Sequence, residues 1–379
     1  MRSWILSFVL LLSFVPSLVR AATSNPDISV IGQPRITWTD DAGDPARLRP
    51  VFDIGETEFV FDAALNPYAR GSFRLTFADG EAGLEEGYFT LLRGLPAGLN
   101  LKGGKYRAGF GRLNVVHPHA MPFAERPLVL ARYLPGEESF NETGMSVSWR
   151  APLSSDVSVT ATVDVLQGDS FRLERASSGD PSDPLEPANG GDDRFAEPRA
   201  AWLGRLASFV PFGERSGVEF GLSATEGTNN VAAAARTRVL GTDAKVKWWT
   251  GPNAYLVLQG EILRLERDDA GWDPLATAYT RTRTRGDGGY AYADYNWAQR
   301  WNAGASYESF ADLDQGGARS SAVGLFAGFA MLEETTAFRL DWRRIQPARA
   351  PGAPDDPEAV QQLTFRVLFS MGPHKVHQF

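Results

Sequence analysis

The chain has no cysteine and few histidines, and this excludes several kinds of chemistry at the outset. Of its 379 residues, 0 are cysteine and 4 are histidine. Disulfide frameworks, thiolate metal sites and cysteine nucleophiles are therefore excluded. A formal net charge of -8 argues against a nucleic-acid-binding surface. The sequence also lacks a Gly-x-Ser-x-Gly elbow, a P-loop and a dinucleotide-binding fingerprint, so we expect neither an enzyme nor a cofactor.

Long apolar runs are confined to the N-terminus. Met1 and Arg2 give a short positive start, residues 4–19 are almost wholly apolar, and Val19-Arg-Ala21 has small residues where a signal peptidase cleaves. This pattern predicts a cleavable signal peptide over residues 1–21, with a buried N-terminal helix as the alternative. Residues 22–379 contain no apolar run long enough to cross a bilayer as a helix, and we expect them to form one exported domain.

The rest of the chain alternates between apolar and polar residues. Residues 157–165 and 338–343 show a strict period of two, and residues 363–370 follow it except at Leu368; this period places one set of side chains on each face of a sheet. The pattern predicts an all-β fold of about 16 antiparallel strands, an even number typical of bacterial transmembrane β-barrels. We place the strands near residues 28–38, 51–63, 67–77, 86–93, 99–107, 142–150, 157–167, 199–209, 217–226, 237–250, 254–266, 287–298, 302–310, 320–331, 335–345 and 361–371.

The links between predicted strands alternate in length. Residues 65–67, 95–98, 151–155, 251–253, 299–300 and 333–334 form tight turns, whereas residues 40–50, 108–141, 168–198, 226–236, 267–286, 312–319 and 346–358 form long polar links. Residues 210–216 and 78–85 fit the alternation less well. Short periplasmic turns and long extracellular loops are typical of an outer-membrane barrel, with residues 372–379 left as a periplasmic tail. Aromatic residues beside the short turns would form an interfacial girdle: Tyr68, Trp149, Trp248, Tyr255, Trp297 and Trp301.

The predicted link over residues 108–140 has no clear period but carries apolar residues that could pack. A link this long inside a compact domain is usually functional or disordered, and its apolar content argues against disorder. We therefore predict a loop that folds into the lumen and narrows it. The predicted constriction residues are Lys105, Arg107, Arg112, Arg126, Arg132 and Glu125, with Glu137 and Glu138 opposing the positive charge. An outer-face charge network or lipopolysaccharide contacts would be the alternative role for these arginines.

If the apolar set faces lipid, the polar set lines the pore and tunes its selectivity. The predicted basic lining residues are Arg70, Arg74, Lys102, Arg150, Lys245, Lys247, Arg339, Arg343 and Arg366. The predicted acidic lining residues are Glu56, Glu58, Asp62, Glu86, Asp164, Glu261, Asp294 and Asp341. The two signs nearly balance along the lining, whereas the basic residues on and beside the long loop favour anions at the constriction.

The histidines form two pairs, His117-Pro-His119 and His374-Lys-Val-His377. Imidazoles at such short spacing can share a metal ion, and we take His117 and His119 as the candidate metal ligands. Separate weak sites or solvated polar side chains are the alternatives.

The segment Lys105-Tyr-Arg-Ala-Gly-Phe-Gly-Arg-Leu113, followed by Phe123-Ala-Glu-Arg126, resembles the phosphate-selective porin family (O and P type) of Gram-negative outer membranes. Asn66-Pro-Tyr-Ala-Arg70 and Phe369-Ser-Met-Gly-Pro-His374 resemble porin-like relatives often labelled TonB-dependent receptors. The resemblance implies a trimer-capable, 16-stranded diffusion porin with Lys105, Arg107, Arg112 and Arg126 at or near its constriction. The chain lacks the lysine-rich ladder of phosphate-selecting members, and no TonB box or plug-sized segment precedes the strand pattern.

Three functions remain open from the sequence. The first is passive diffusion of small hydrophilic, in particular anionic, solutes across the outer membrane, with lipid and lipopolysaccharide as surroundings and a homotrimer as assembly. The second is a TonB-linked or metal-related outer-membrane uptake receptor without a plug domain. The third is a soluble, secreted β-protein that binds a ligand.

Overall fold

The computed structural model describes residues 25–78, 80–136, 139–151, 157–173, 182, 199–331 and 335–373. The predicted signal peptide over 1–21, Glu137, Glu138 and residues 374–379 of the predicted tail lie outside this part of the chain. Within it, every helix is too short or too polar to cross a bilayer.

The described residues form strands joined in a single sheet, with one short α-helix and four short 3₁₀ turns. The strands are β1 (Asp27–Gly32), β2 (Arg35–Thr39), β3 (Val51–Asp53), β4 (Thr57–Ala64), β5 (Ala69–Ala78), β6 (Glu81–Leu91), β7 (Leu99–Arg107), β8 (Asn141–Ala151), β9 (Ser158–Leu166), β10 (Ala201–Phe212), β11 (Ser216–Asn230), β12 (Ala235–Gly251), β13 (Ala254–Asp273), β14 (Ala278–Trp297), β15 (Trp301–Asp312), β16 (Ala318–Ala330), β17 (Thr336–Gln346) and β18 (Val360–Met371). The helix is α1 (Leu128–Tyr133), and the 3₁₀ turns are Pro96–Gly98, Pro118–Ala120, Asp169–Phe171 and Leu313–Gln315.

These segments make a closed antiparallel barrel of 16 strands, which confirms the predicted fold class. β1 and β2 are two halves of one strand, because both pair with β18. β3 and β4 are likewise one interrupted strand, paired with β2 and β1. The two breaks face each other: Pro34 has no N–H to donate, and Gly55 has a positive φ of 65° with its Cα against the Gln33 carbonyl. A side chain at Gly55 would meet that carbonyl, which explains the glycine.

Apolar side chains occupy the outer face of the barrel, and polar ones occupy much of the inner face. Phe73 and Leu222 on the outer face are 54% and 59% exposed, whereas Glu58 and Asp164 on the inner face are 0% and 1% exposed. A soluble sandwich buries its apolar faces against each other, and here those faces are exposed. The outer surface therefore has the polarity that a lipid-facing barrel requires.

Most of the predicted aromatic girdle lies on the outer face at the end of the barrel that carries the short turns (the short-turn end). The exposed members are Tyr68, Trp149, Trp248, Trp297 and Trp301. Tyr255 is the exception and corrects the prediction. It shares its parity on β13 with Val257 and Glu261, which are buried, and its ring lies 4.5 Å from Lys247 Nζ inside the barrel.

Several links at the other end (the long-loop end) are shorter than predicted. Strands β11 to β14 run beyond the expected ends, so the links predicted over 226–236 and 267–286 reduce to residues 231–234 and 274–277. The segment predicted as a link over 78–85 is a hairpin with only residues 79–80 between β5 and β6. Alternating Thr and Arg residues, such as those in 279–285, can pair as a projecting hairpin without an apolar face, so the pattern of polar residues misled the prediction.

The inner face also corrects the prediction that only polar residues line the lumen. Residues 108–136 and 139–140, here called the lumen loop, fold inside the barrel between β7 and β8. Together with inward-facing residues of the wall they form a buried apolar cluster. Its members include Phe110, Leu113, Phe123, Val129, Leu130 and Phe140 of the loop and Leu203, Val239, Leu263, Tyr290, Phe310 and Phe326 of the wall. Inward apolar residues therefore occur where the loop covers them from water.

Candidate functional site

The lumen loop is closed at its base by Asn114, a residue that the sequence patterns did not single out. Asn114 Nδ2 donates to the carbonyls of Ala108 and Phe140 at 2.7 and 2.9 Å, and its Oδ1 accepts from Phe140 N at 3.1 Å. Arg126 Nη1 also donates to Asn114 Oδ1, at 3.0 Å. Arg126, predicted at the constriction, thus braces the loop from within. An internal asparagine with all its polar atoms engaged has no periodicity signal that would mark it.

Glu261 on β13 holds the first part of the loop against the wall. Its Oε1 accepts from Arg112 N and Leu113 N at 2.8 and 2.7 Å, and from the Tyr290 hydroxyl at 2.7 Å. Glu261 is 2% exposed, so its carboxylate accepts these hydrogen bonds in a site shielded from water. A residue predicted to line the pore instead secures the loop.

Gly111 makes this close approach possible. Its φ is +61°, and a Cβ built on it would collide with the Glu261 carboxylate. We expect Gly111→Ala to destabilise the folded barrel by about 1–3 kcal/mol, the usual cost of a non-glycine residue held in such a conformation. Gly109→Ala is the matched control, because a Cβ at Gly109 meets nothing within 4 Å and its φ is not positive. Urea midpoints in detergent measure the difference, and equal midpoints for the two variants would contradict the assignment.

The wall formed by β10, β11 and β12 carries a group of inward positive charges. Arg112 of the loop pairs with Glu219 at 2.7 Å, and Arg205 pairs with Asp243 at 2.6 Å. Lys245 and Lys247 occupy the next inward positions on β12, with Lys247 Nζ 5.6 Å from the Trp249 ring centre. The predicted residues Arg112, Lys245 and Lys247 are therefore brought together at one side of the lumen.

Helix α1 seals the loop against β15. Glu308 Oε2 accepts from Val129 N at 3.1 Å in the first turn of the helix, where backbone N–H groups lack helical partners. Arg343, predicted to line the pore, donates to the other oxygen of Glu308. Tyr133 donates to the Ala311 carbonyl at 2.9 Å, and burial raises the pKa of Tyr133 to about 12. The phenol therefore remains a donor throughout the physiological range.

Strands β17 and β18 hold the middle of the loop by its carbonyl groups. Arg366 donates to the carbonyls of Pro118 and Phe123 at 3.0 Å each. Arg339 donates to the carbonyls of His119, at 3.1 Å, and Met121. Both arginines were predicted to line the pore, and both face the lumen, but their guanidinium groups are engaged by the loop.

The strands on the opposite side of the barrel from β12 carry a cluster of carboxylates that meets the histidines of the loop. His119 Nδ1 lies 2.6 Å from Glu58 Oε1, and His117 Nε2 lies 3.2 Å from Glu86 Oε2. Arg74 contacts Glu58, at 3.1 Å, and Glu86. Arg74, Glu58 and Glu86 were predicted to line the pore, and His117 and His119 were predicted to bind a metal ion. The structure brings all five side chains together at one site.

The remaining predicted residues occupy different places. Arg107 pairs with Glu85 and donates to the Val116 carbonyl at 3.0 Å. Glu125 pairs with Arg35 at 3.2 Å. Lys102 Nζ lies over the rings of Tyr88 and Tyr106. Asp164 is buried, and Asp294 accepts hydrogen bonds from Asn296 and Asn302. Asp341 accepts from the Ala124 N–H. Arg70 and Arg150 occupy inward positions close to the short-turn end, where both are exposed. Asp62 is also inward on β4, and Glu56 lies beside Glu58.

Two residues predicted at the constriction, Lys105 and Arg132, are separated from the rest of the predicted set. Lys105 pairs with Gly87 and Thr143 on the outer face, and its Nζ donates to the Leu84 carbonyl at 2.8 Å. Lys105 shares its parity on β7 with Leu99 and Leu101, and this signal was available in the sequence. Arg132 lies on the exposed side of α1, 3.8 Å from Asp314 at the long-loop end. Its neighbours Val129, Leu130 and Tyr133 take the buried side of the helix.

Comparisons with known proteins give the fold a context. No family model matches the chain. A curated but uncharacterised protein of Aquifex aeolicus is 29% identical over 348 residues, which span 86% of this chain and 70% of that protein. Solved structures with a similar fold include an anion-selective porin from Comamonas acidovorans, with 8% identity, a TM-score of 0.56 and coverage of 91% of this chain and 100% of that one.

A second solved structure is OmpF of Salmonella typhi in complex with daunomycin, with 13% identity, a TM-score of 0.55 and coverage of 92% and 98%. A third is OmpT of Vibrio cholerae in a trimer form, with 12% identity, a TM-score of 0.51 and coverage of 92% and 100%. At such identities the likeness concerns the fold. The phosphate-selective type predicted from the sequence remains a prediction. The chain has the 16-stranded barrel fold of outer-membrane porins.

Proposed function

We propose that the protein is a passive channel in the outer membrane for small hydrophilic solutes. The observation that carries the proposal is a loop held inside a closed barrel by hydrogen bonds to strands on all sides, within an outer surface that is apolar. A barrel of this strand number encloses an aqueous channel, and a fixed loop would restrict it to small solutes. Charged residues on the inner wall supply the polar lining that such solutes need.

Conductance in planar bilayers tests this proposal directly. We expect stepwise insertion of open channels whose current rises linearly with voltage. Insertion of heat-modifiable, folded barrels without any current would overturn it. The expected location, with the short turns in the periplasm and lipopolysaccharide around the long-loop end, follows from the general architecture of such barrels.

A preference for anions would come from the β10–β12 wall. The inward cations Arg112, Arg205, Lys245 and Lys247 outnumber Glu219 and Asp243 there. Charges beside a narrow, low-dielectric passage act on a solute more strongly than charges in open water. Anions are therefore the favoured substrates in this proposal.

We expect Lys245→Gln combined with Lys247→Gln to shift the zero-current potential in a salt gradient towards cation preference. The two lysines face the lumen, so their removal lowers the positive potential along the passage. Lys105→Gln is the matched control, because it removes a lysine from the outer face and should leave the potential unchanged. An equal shift in both variants would contradict the assignment of the selective wall.

We further propose a homotrimer, as in the trimer form of the Vibrio cholerae protein. Light scattering in detergent, corrected for bound detergent, would distinguish a trimer from a monomer. A TonB-linked receptor is not favoured, because within the described residues a loop of the barrel itself occupies the lumen. The soluble alternative conflicts with the exposed apolar outer face, since a surface of that kind would aggregate in water.

A further inference from the structure

An acidic cluster with buried histidines lies where the lumen loop meets β4 and β6. It contains the carboxylates of Glu56, Glu58, Glu85 and Glu86 and the imidazoles of His117 and His119. The Glu58 side chain is fully buried, and the side chain of His117 is 6% exposed. Burial of so much charge requires partners.

A β-bulge builds this cluster. The pairing of β5 with β6 shifts register between Arg74 and Leu75, so that Glu85 is the extra residue between Glu86 and Leu84. Adjacent residues of a regular strand point to opposite faces, whereas a bulge can re-aim one of them. As a result Glu85 and Glu86 both approach His117, at 3.4 and 3.2 Å.

Three ligand atoms converge here. One atom each from Glu58, Glu85 and His117 lie within 4.8 Å of one another. His117 Nδ1 is 3.4 Å from Glu85 Oε1 and 3.9 Å from Glu58 Oε2. Ligands about 2.0–2.1 Å from a tetrahedral zinc ion are about 3.3 Å apart. The atoms are therefore already close to the spacing that such an ion imposes.

Hydrogen bonds leave one ligand atom available on each of the three residues, and on Glu85 this atom is Oε2, the neighbour of the Oε1 that lies 3.4 Å from His117 Nδ1. Within the described residues, His117 Nδ1, Glu58 Oε2 and Glu85 Oε2 are buried and have no hydrogen-bond partner. Glu58 Oε2 has an ionic contact with Arg74 Nε at 3.1 Å. The other oxygens of the two carboxylates are engaged, Glu58 Oε1 by His119 and Glu85 Oε1 by Arg107. Buried polar atoms without partners are uncommon and call for an explanation.

We propose that Glu58, Glu85 and His117 bind a divalent transition-metal ion, with zinc as the best fit. A set of one imidazole and two carboxylates suits zinc better than magnesium or calcium, which prefer oxygen ligands only. His119 is a positioning residue that orients Glu58 through its Nδ1 contact. The site goes beyond the proposed channel function, since binding of the ion does not depend on conduction.

The surroundings of His117 support ligation through Nδ1. A metal-bound histidine usually gives its other ring N–H to a carboxylate, and His117 Nε2 is 3.2 Å from Glu86 Oε2. Arg74 also contacts Nε2, which suits the opposite tautomer. Binding at Nδ1 selects the tautomer that donates to Glu86 and leaves Arg74 to the carboxylates.

The charges around the proposed site also favour a bound cation. The carboxylates of Glu58, Glu85 and Glu86 outnumber the guanidinium groups that contact them, those of Arg74 and Arg107, so a bound cation would offset the excess negative charge. Because Glu58 and Glu85 belong to the wall and His117 to the loop, the ion would fasten the loop to the barrel.

Metal titration of the full chain in detergent, after treatment with a chelator, tests the site. We expect one zinc ion per chain by isothermal titration, with affinity at least tenfold lower in Glu85→Gln and in His117→Ala. His377→Ala is the control for the second histidine pair and should bind as the parent does. Unchanged zinc affinity in both site variants, or loss in the His377→Ala control, would overturn the assignment.

A cysteine at position 117 gives a second readout that does not depend on affinity. The chain has 0 cysteines, so His117→Cys introduces its single thiol. We expect cobalt to give a thiolate-to-metal charge-transfer band in His117→Cys that disappears in His117→Cys combined with Glu58→Gln. Folding of each variant is verified by heat-modifiable migration. A band that persists at full strength without Glu58, or the absence of any band in the folded single variant, means that the three residues do not share an ion and that His117 is only an ion-pair partner of the carboxylates.

Discussion

Replacing residues 108–140 with a two-residue Asn-Gly turn should raise the single-channel conductance severalfold. Arg107 and Asn141 are directly paired across β7 and β8, so a tight hairpin turn can join them without disturbing the strands. The lumen loop fills the barrel from β4 round to β15 and β18, and its removal leaves the wide channel expected of this strand number. Current steps in planar bilayers at fixed salt concentration give the measurement.

A comparable shortening of residues 347–359 is the control. This link joins β17 to β18 at the long-loop end and is mostly exposed, so we expect the parent conductance. Arg339→Ala combined with Arg366→Ala provides a milder variant, in which the loop loses its contacts with β17 and β18 but stays in place. An intermediate increase with larger current noise is expected. If the loop replacement folds and conducts like the parent, the loop does not limit the passage.

Glu261→Ala should destabilise the folded barrel by about 3 kcal/mol or more. Three donors, Arg112 N, Leu113 N and the Tyr290 hydroxyl, lose their acceptor, and each buried donor without a partner costs about 1–3 kcal/mol. Glu261→Gln should lose less, because its amide oxygen can still accept from the two backbone N–H groups. Urea unfolding in detergent, followed by tryptophan fluorescence and heat-modifiable migration, gives the free energies.

Asp287→Ala is the matched control for Glu261→Ala on the neighbouring strand. Asp287 pairs with Arg264 at 2.7 Å, and both side chains are exposed, so its loss should cost less than about 1 kcal/mol. Equal losses in the two variants would mean that Glu261 does not hold the loop. A loss confined to Glu261 together with increased conductance would link the anchor to the width of the passage.

The strand pattern predicted the barrel because side-chain alternation depends only on local backbone geometry. Successive side chains in segments such as residues 157–165 point to opposite faces of the sheet, whatever covers each face. Strand ends were predicted less well. β13 extends to Asp273 and β14 begins at Ala278, and the residues at these ends are too polar to show which face is buried. Lys105 could have been placed on the outer face from its parity with Leu99 and Leu101.

The roles of the inward charges could not be derived in the same way. Arg339, Arg343 and Arg366, predicted to line the pore, have partners that are far from them in sequence: Arg366 donates to Pro118 and Phe123. The amino-acid sequence gives the sign of each side-chain charge, but it does not give the distance from that charge to a carbonyl or carboxylate group. Asn114 and the bulge at Glu85 have no pattern at all.

Residue patterns were enough to establish which sides of the strands are apolar, how many strands can close a barrel and which link is long enough to enter it. The folded barrel was needed to show that this loop is held from several sides, and that Glu58, Glu85 and His117 meet. The physical reason is that alternation is a property of neighbouring residues, whereas each anchor joins atoms that only the closure of the barrel brings within hydrogen-bonding distance.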